Sequence, residues 1–234
     1  LWQRMHLDDW DRVPSPLREE SLRAIFTQYE GLLASPRAWQ HMTASDWDEV
    51  PHPVRIVAFV RMLEHWRAYY DLGAVHNLTP RLVGDTLAAI VMAESYFEHR
   101  ATNTNQWGNR DLGLAAASDR AREKLRQLYT AGLVDFTLSD DDYFNPWRAT
   151  RFVVVWTRML LNRLDGDLSL AIGAYHRGER NAGDEKGMRY LADVKRRRAF
   201  FRHRTSGPPA WRYLWSAVPR SNITLIPVFP RAVM

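Results

Sequence analysis

The chain has 234 residues, of which 46% are hydrophobic and 25% are charged, a balance typical of a globular protein that is long enough to bury a substantial core. It contains no cysteine, so a disulfide framework, a thiolate metal site and a cysteine nucleophile are all excluded. No apolar run approaches the roughly 20 residues that a membrane-spanning helix needs, because polar residues soon interrupt the longest ones.

The formal net charge of +5 is concentrated near the C-terminus, where residues 187–234 hold ten Lys and Arg against one Asp. Such a segment attracts polyanions, among them cell-wall polymers, anionic lipid and nucleic acid. Alternatively, these basic residues form the solvent-exposed face of a helix and bind no polyanion. Nucleic acid is not an expected partner, since the basic residues lack interleaved aromatic residues and no nucleic-acid-binding module is recognisable.

The first 75 residues contain an internal repeat. The segments MHLDDWDRVPSPLR (5–18) and MTASDWDEVPHPVR (42–55) match at eight positions and are offset by 37 residues. In each copy an Asp-Trp-Asp turn precedes Val-Pro-x-Pro, where a helix can begin, and apolar residues follow at helical spacing. We expect two helical hairpins with Trp10 and Trp47 packed between them, and stacking of these rings on a sugar is the alternative. The hairpins should pack against a helix over 61–70.

A helix is predicted to begin at Thr79, which can cap it, with Pro80 in its first turn. Its apolar face carries Leu87, Ile90, Val91 and Phe97 at helical spacing. Glu94 falls on this face near the C-terminus of the helix, where burial and the negative end of the helix dipole both favour a protonated carboxyl group. Glu94 is therefore a candidate general acid, although a Glu in such a place more often lies at the edge of a core.

The remaining chain is also predicted to be mostly helical. Residues 101–114 are polar and glycine-bearing, which indicates a loop that returns toward the end of the preceding helix. Three helices are then predicted, from Ser118 or Asp119 to Gly132, over 149–164, and from Asp167 to Gly178. The tail ITLIPVFP is the only extended-looking segment and suits an edge strand or a wrapping arm. The predicted fold class is mainly α.

Four blocks of sequence carry a further signal. Glu94-Ser95-Tyr96-Phe97, Ala101 and Gly113-Leu114 follow the pattern ES.F…A…GLMQ, and Asn145-Pro146 precedes a long helix. Ala174-Tyr175-His176-Arg177-Gly178 is similar to A-Y-N-x-G, and GMRYLADVKRRRAFF is similar to a Y-V-x-x-V helix. Together these blocks resemble the soluble-lytic-transglycosylase (SLT) and goose-type lysozyme family. The resemblance implies a lysozyme-like helical catalytic domain over 76–205, preceded by the helical repeat region (1–75) and followed by a C-terminal extension (206–234) that wraps the domain.

The resemblance also implies an activity, the cleavage of the β-1,4 bond between MurNAc and GlcNAc in peptidoglycan. Glu94 would protonate the leaving oxygen and then deprotonate the muramic acid C6 hydroxyl, which closes onto C1 and gives a 1,6-anhydro end. Tyr175 matches the family tyrosine whose hydroxyl is expected to lie near the acid and orient it. Ser95 would contact substrate or the loop backbone, or bond only to its own helix. No cofactor is implied, and the eight histidines lack a metal-binding spacing.

Two departures from the family pattern lie near the predicted cleft. The family's Met-Gln is Ala115-Ala116 here, and the Asn of A-Y-N is His176. We assign substrate contact to the returning loop and to this position, that is, to Gly113, Leu114, Ala115, Ala116 and His176. The missing amide leaves the peptide and sugar contacts open, including those to a chitin-like glycan, and a non-catalytic cell-wall-binding scaffold is an alternative.

Asp111 provides another alternative. It lies two residues before Gly113, so it could face Glu94 across the cleft and position a water molecule, which would make the enzyme a hydrolytic lysozyme. Asp beside Gly also commonly braces a turn.

The expected partners are peptidoglycan glycan strands and, through the N-terminal repeats, other cell-wall or secretion-machinery proteins. The implied location is periplasmic or extracellular. A secretory signal is not visible, and a chain that begins at Leu1 says little about one.

Overall fold

The computed structural model describes residues 5–104, 108–202 and 214, and the protein is mainly helical, as predicted. The first half contains α1 (Ser15–Gln28), α2 (Glu30–Ala34), α3 (Pro36–His41), α4 (Ala44–Asp48), α5 (His52–Tyr69) and α6 (Pro80–Glu94). The second half contains α7 (Asp119–Thr130), α8 (Pro146–Arg163), α9 (Leu168–Arg177) and α10 (Glu185–Arg202). Short 3-10 turns occupy Leu7–Arg12, Ala74–His76, Asp141–Phe144 and Glu179–Asn181. The predicted extended tail lies outside the described residues, as does nearly all of the predicted extension over 206–234.

The sequence repeat is also a structural repeat. Pro14 precedes α1 with φ −51° and ψ 139°, and Pro51 precedes α5 with φ −56° and ψ 139°, so both copies direct the chain into a helix in the same way. Trp10 and Trp47 are fully buried, which confirms that they pack in the core. The sugar-stacking alternative is wrong for both rings, because a buried ring offers no face to a glycan. The separate helix expected over 61–70 is the second half of the continuous α5.

Helix α6 lies at the centre of the molecule. It packs against α5, α8 and α10, and nine of its 15 residues are buried. Such a helix is stabilised mainly by tertiary packing, since each fully buried aliphatic side chain contributes roughly 2 kcal/mol. Thr79 caps its first turn as predicted, with its hydroxyl oxygen accepting a hydrogen bond from the Leu82 N–H at 3.2 Å. The last residue of this central helix is Glu94.

The segment predicted as a loop contains a small antiparallel sheet instead. Its strands are β1 (Thr102–Thr104), β2 (Arg110–Leu112) and β3 (Ala117–Ser118), in that spatial order. Asp111 lies opposite Asn103 on β1 and Ser118 on β3. Strands of two or three residues are too short to give an alternating pattern, so the sequence alone does not show them. Ser118 ends the sheet and caps α7, with its hydroxyl accepting from the Ala121 N–H at 3.3 Å.

Among the residues that the structure describes, no helix combines the length and the apolar character needed to span a bilayer.

Candidate active site

The Glu94 carboxyl group is held at the end of α6. Tyr190 on α10 donates a hydrogen bond from its hydroxyl to Glu94 Oε1 at 2.5 Å. Loss of hydration on burial raises the pKa of Glu94 to about 7, the charge of Asp111 also raises it, and the Tyr190 hydrogen bond opposes both effects. Glu94 is still partly exposed. A carboxyl group in this setting keeps a substantial share of its protons at neutral pH.

The backbone changes direction abruptly after Glu94. Tyr96 and Phe97 both have positive φ, 54° and 63°, a left-handed conformation that costs free energy in residues other than glycine. The turn is held because Phe97 is fully buried and contacts Phe201 edge to face, with ring centroids 6.1 Å apart. Packing in the core thus supports a strained turn that ends α6 at Glu94.

Ser95 joins this turn to the returning loop. Its hydroxyl lies 3.0 Å from the Leu114 carbonyl oxygen and 3.1 Å from that of Val91, and its single proton can be donated to either. The structure therefore contains both contacts considered for Ser95, one to the loop backbone and one to its own helix. The hydrogen bond to Leu114 connects the loop to Ser95, the residue that directly follows Glu94.

The returning loop packs against the core more tightly than the sequence suggested. A Cβ atom on Gly113, where φ is +66°, would lie 1.8 Å from the Tyr143 carbonyl oxygen. Gly113, Leu114 and Ala115 are all buried, and the carbonyl oxygens of Leu114 and Ala115 already accept hydrogen bonds from Ser95 and Tyr175. Ala116, at φ +42°, is partly exposed. The substrate contacts expected from Gly113, Leu114 and Ala115 are therefore corrected to core packing.

The tyrosine that bonds to Glu94 is not the one that the sequence indicated. The Tyr175 hydroxyl donates to the Ala115 carbonyl oxygen at 3.1 Å, which braces the loop. Burial raises the pKa of Tyr175 well above its ordinary value, and the nearby charge of Glu94 raises it further. Tyr175 thus lies near the acid as expected, but the hydrogen bond that orients the acid comes from Tyr190. One sequence signal could have identified Tyr190. It lies in the segment GMRYLADVKRRRAFF, at the position of the tyrosine in the family's Y-V-x-x-V helix.

Asp111 and His176 lie on the same side of the molecule as Glu94. Burial raises the pKa of the partly buried Asp111, whose charge acts on both Glu94 and His176. His176 is exposed, and its ring stacks on Tyr190 with centroids 4.6 Å apart and planes 8° apart. It makes no hydrogen bond to any residue that the structure describes, so the expected replacement of the Asn hydrogen bond is not observed.

The described residues contain one cluster with the composition of a metal site. Glu98 Oε1 lies 3.5 Å from His6 Nδ1 and 3.4 Å from His52 Nε2. However, His52 Nδ1 accepts a hydrogen bond from the Leu7 N–H at 3.0 Å, so the proton of the neutral ring sits on Nε2, which faces the Tyr96 carbonyl oxygen at 3.3 Å. A metal ion would need that nitrogen without its proton and would meet the cation of Arg55, 3.7 Å from the same carboxylate. The cluster is better suited to hydrogen bonding between the N-terminal region and the turn after Glu94.

Two surface cavities lie elsewhere. One, of about 360 Å³, is lined by residues of α7 that include Glu123 and Arg126, and the other, of about 300 Å³, lies beside Trp147, Arg148 and Arg151. In the second cavity both arginines already pair with aspartates, Asp142 and Asp135. Neither cavity holds a carboxyl group in apolar surroundings, and the chemistry of Glu94 makes its environment the better candidate.

Residues 75–196 match the family model of the transglycosylase SLT domain. The matched range contains the residues of the candidate site: Glu94, Ser95, Asp111, Tyr175, His176 and Tyr190. No curated protein and no solved structure matches the chain significantly.

Proposed function

Since this chain belongs to the transglycosylase SLT family, and with it to the glycan-cleaving lytic transglycosylases that act on peptidoglycan, we propose that Glu94 is its catalytic acid and base. The proposed reaction breaks the bond between C1 of MurNAc and the O4 oxygen of GlcNAc. Glu94 gives its proton to that oxygen as the bond breaks. It then takes the proton of the C6 hydroxyl as O6 bonds to C1, which forms a 1,6-anhydro end and restores the acid.

The single observation that carries this proposal is the setting of Glu94, a largely buried carboxyl group at the end of α6 that accepts a hydrogen bond from Tyr190. A general acid works best when its pKa lies near the working pH, and burial raises the pKa of Glu94 to about 7. Tyr190 donates to Oε1, so the acidic proton is carried by Oε2. The Tyr190 hydroxyl thus selects the oxygen from which the proton leaves.

Asp111 supports a second candidate reaction, which is hydrolysis. The charge of Asp111 raises the pKa of Glu94, so the two carboxyl groups lie close enough to interact. A carboxylate across from the acid could position a water molecule for attack on C1. The place of Asp111 in the middle of β2 also suits the bracing role. We therefore rank hydrolysis second.

The test is digestion of purified peptidoglycan sacculi, followed by mass spectrometry of the released fragments. We expect fragments with anhydro ends, and we expect Glu94→Gln to lower the rate by about 10²–10⁴-fold. Glu123→Gln is the matched control, because Glu123 is exposed on α7 and pairs with Arg126. Reducing ends would favour hydrolysis. Binding to sacculi without release of fragments, unchanged by Glu94→Gln, would support the scaffold alternative.

A periplasmic or extracellular location and protein partners bound through the N-terminal region are further proposals. The first follows from the position of peptidoglycan outside the cytoplasmic membrane, and fractionation of cells that express the natural gene product tests it. Trp10 and Trp47 are buried, so a partner would have to contact other residues of the repeats. Crosslinking in cells followed by mass spectrometry would identify such partners.

A further inference from the structure

We propose that His176 is a positioning residue, which holds the Tyr190 ring by stacking and so keeps the Tyr190 hydroxyl on the Glu94 carboxyl group. This inference deepens the proposed function, on which it rests, and it concerns a position where the chain departs from the family pattern.

The geometry of the two rings carries the argument. His176 lies near the end of α9 and Tyr190 lies on α10, and these two helices pack together. The ring centroids are 4.6 Å apart and the planes differ by 8°, so the imidazole covers one face of the phenol. A phenol ring with one face covered cannot swing freely about its side-chain torsions. The Tyr190 ring is thus restrained at its face by His176 and at its hydroxyl by Glu94.

His176 can hold the Tyr190 ring without carrying a charge. Burial lowers the pKa of His176 below its ordinary value, and the charged groups facing it oppose one another: Arg177 and Lys186 lower the pKa, and Asp111 and Asp184 raise it. The ring is therefore mainly neutral at pH 7. It also makes no hydrogen bond to the described residues. What remains at neutral pH is contact between the two ring faces.

The restraint has a measurable consequence at Glu94. The Tyr190 hydrogen bond lowers the pKa of Glu94, against the effects of burial and of Asp111. If the tyrosine is loosened, the hydrogen bond weakens and the pKa of Glu94 rises. The general acid then stays protonated to higher pH, but its proton is less well aimed at the leaving oxygen.

The experiment compares His176→Ala, which removes the stacked ring, with His176→Phe, which keeps a ring but removes the titrating nitrogens. For His176→Ala we expect kcat on soluble glycan strands to fall by about tenfold or less, the effect of one aromatic pair. We expect KM to change little and the basic limb of the kcat profile to move upward by about half a pH unit. His176→Phe should restore both values to near those of the wild type.

Two results would overturn the proposal. If His176→Phe behaves like His176→Ala, the effect comes from the imidazole nitrogens and not from the stacked ring. If both variants match the wild type in kcat and in pH profile, His176 does not position Tyr190.

Carbon-13 NMR titration of the Glu94 carboxyl group separates this proposal from the proposed function, because it needs no turnover. An upward pKa shift in His176→Ala, absent in His176→Phe, would support the stacking role even in a protein that does not cleave glycan. An unchanged titration in His176→Ala would contradict it.

Discussion

The burial that raises the pKa of Glu94 also lowers the stability of the folded protein at neutral and alkaline pH. The pKa of Glu94 is about 7 in the folded chain, against an ordinary value of 4.5. Below pH 4.5 the group is protonated whether the chain is folded or not, and its contribution to stability is fully present. As the pH rises toward 7 the unfolded chain loses the proton and the folded chain keeps it, so the contribution is progressively lost.

Replacing Glu94 with Gln should therefore stabilise the protein at neutral and alkaline pH. We expect the free energy of unfolding of Glu94→Gln to exceed that of the wild type by about 1–3 kcal/mol near pH 8, with the difference shrinking toward pH 5. Urea denaturation at both pH values measures it. The control Glu123→Gln should stay within about 0.5 kcal/mol of the wild type, and a Glu94→Gln protein that is less stable near pH 8 would contradict the prediction.

At the scale of elements, the site depends on how closely the returning loop approaches the Asp141–Phe144 turn. The Gly113 N–H donates a hydrogen bond to the Ala101 carbonyl oxygen at 2.8 Å. The carbonyl oxygen of the following residue, Leu114, accepts a hydrogen bond from the Ser95 hydroxyl. This part of the loop is thus tied both to Ala101, just before β1, and to Ser95 at the end of α6. Only a residue without a side chain fits at Gly113, both because φ is positive and because Tyr143 backbone lies against it.

Gly113→Ala should consequently be far more damaging than an alanine at a glycine with similar φ and open surroundings. Gly132, at φ +69° with nothing within 4 Å of an added Cβ, is the matched control. We expect Gly132→Ala to cost about 1–2 kcal/mol of stability, and Gly113→Ala to cost about 3 kcal/mol or more and to lower activity as well. Thermal denaturation and the sacculus assay check both effects, and equal costs at the two glycines would argue against the tight approach.

At the scale of the whole molecule, two buried histidines join the N-terminal region to the segment after Glu94. His52 bridges the Leu7 N–H and the Tyr96 carbonyl oxygen. His99 lies 3.1 Å from the Ala44 carbonyl oxygen through Nε2 and 3.2 Å from the Arg55 guanidinium through Nδ1. Both side chains are essentially inaccessible. The repeat region is therefore packed directly against the turn that follows Glu94.

These contacts predict a loss of stability in mild acid. Burial lowers the pKa of His52 to about 3 and that of His99 to about 4. The unfolded chain binds a proton at each histidine below about pH 6.5 and the folded chain does not, so stability falls as the pH drops from about 6.5 toward 4. Each histidine contributes a slope of about 1 kcal/mol per pH unit. Glu94, whose pKa is raised to about 7, contributes a slope of similar size and opposite sign, so the two histidines together leave a net loss in acid.

Urea denaturation between pH 7 and pH 5 measures this slope. His99→Gln should flatten it, because glutamine does not titrate, whereas His41→Gln, at an exposed position on α3, should leave it unchanged. A slope that is the same in all three proteins would show that His99 accepts a proton without opening the fold.

The sequence by itself determined the longer helices, their caps at Thr79, Ser118 and Asp167 and the burial of the repeated tryptophans, and it proposed Glu94 as the acid. Each of these depends on residues within a few positions of one another, where spacing and side-chain chemistry decide the outcome. The tertiary structure decided that Tyr190 rather than Tyr175 bonds to Glu94, that Leu114 and Ala115 point into the core, and that His176 stacks on Tyr190. The Tyr190–Glu94 hydrogen bond joins residues 96 positions apart. It exists because α10 packs against both α6 and α9, and no local pattern encodes such packing.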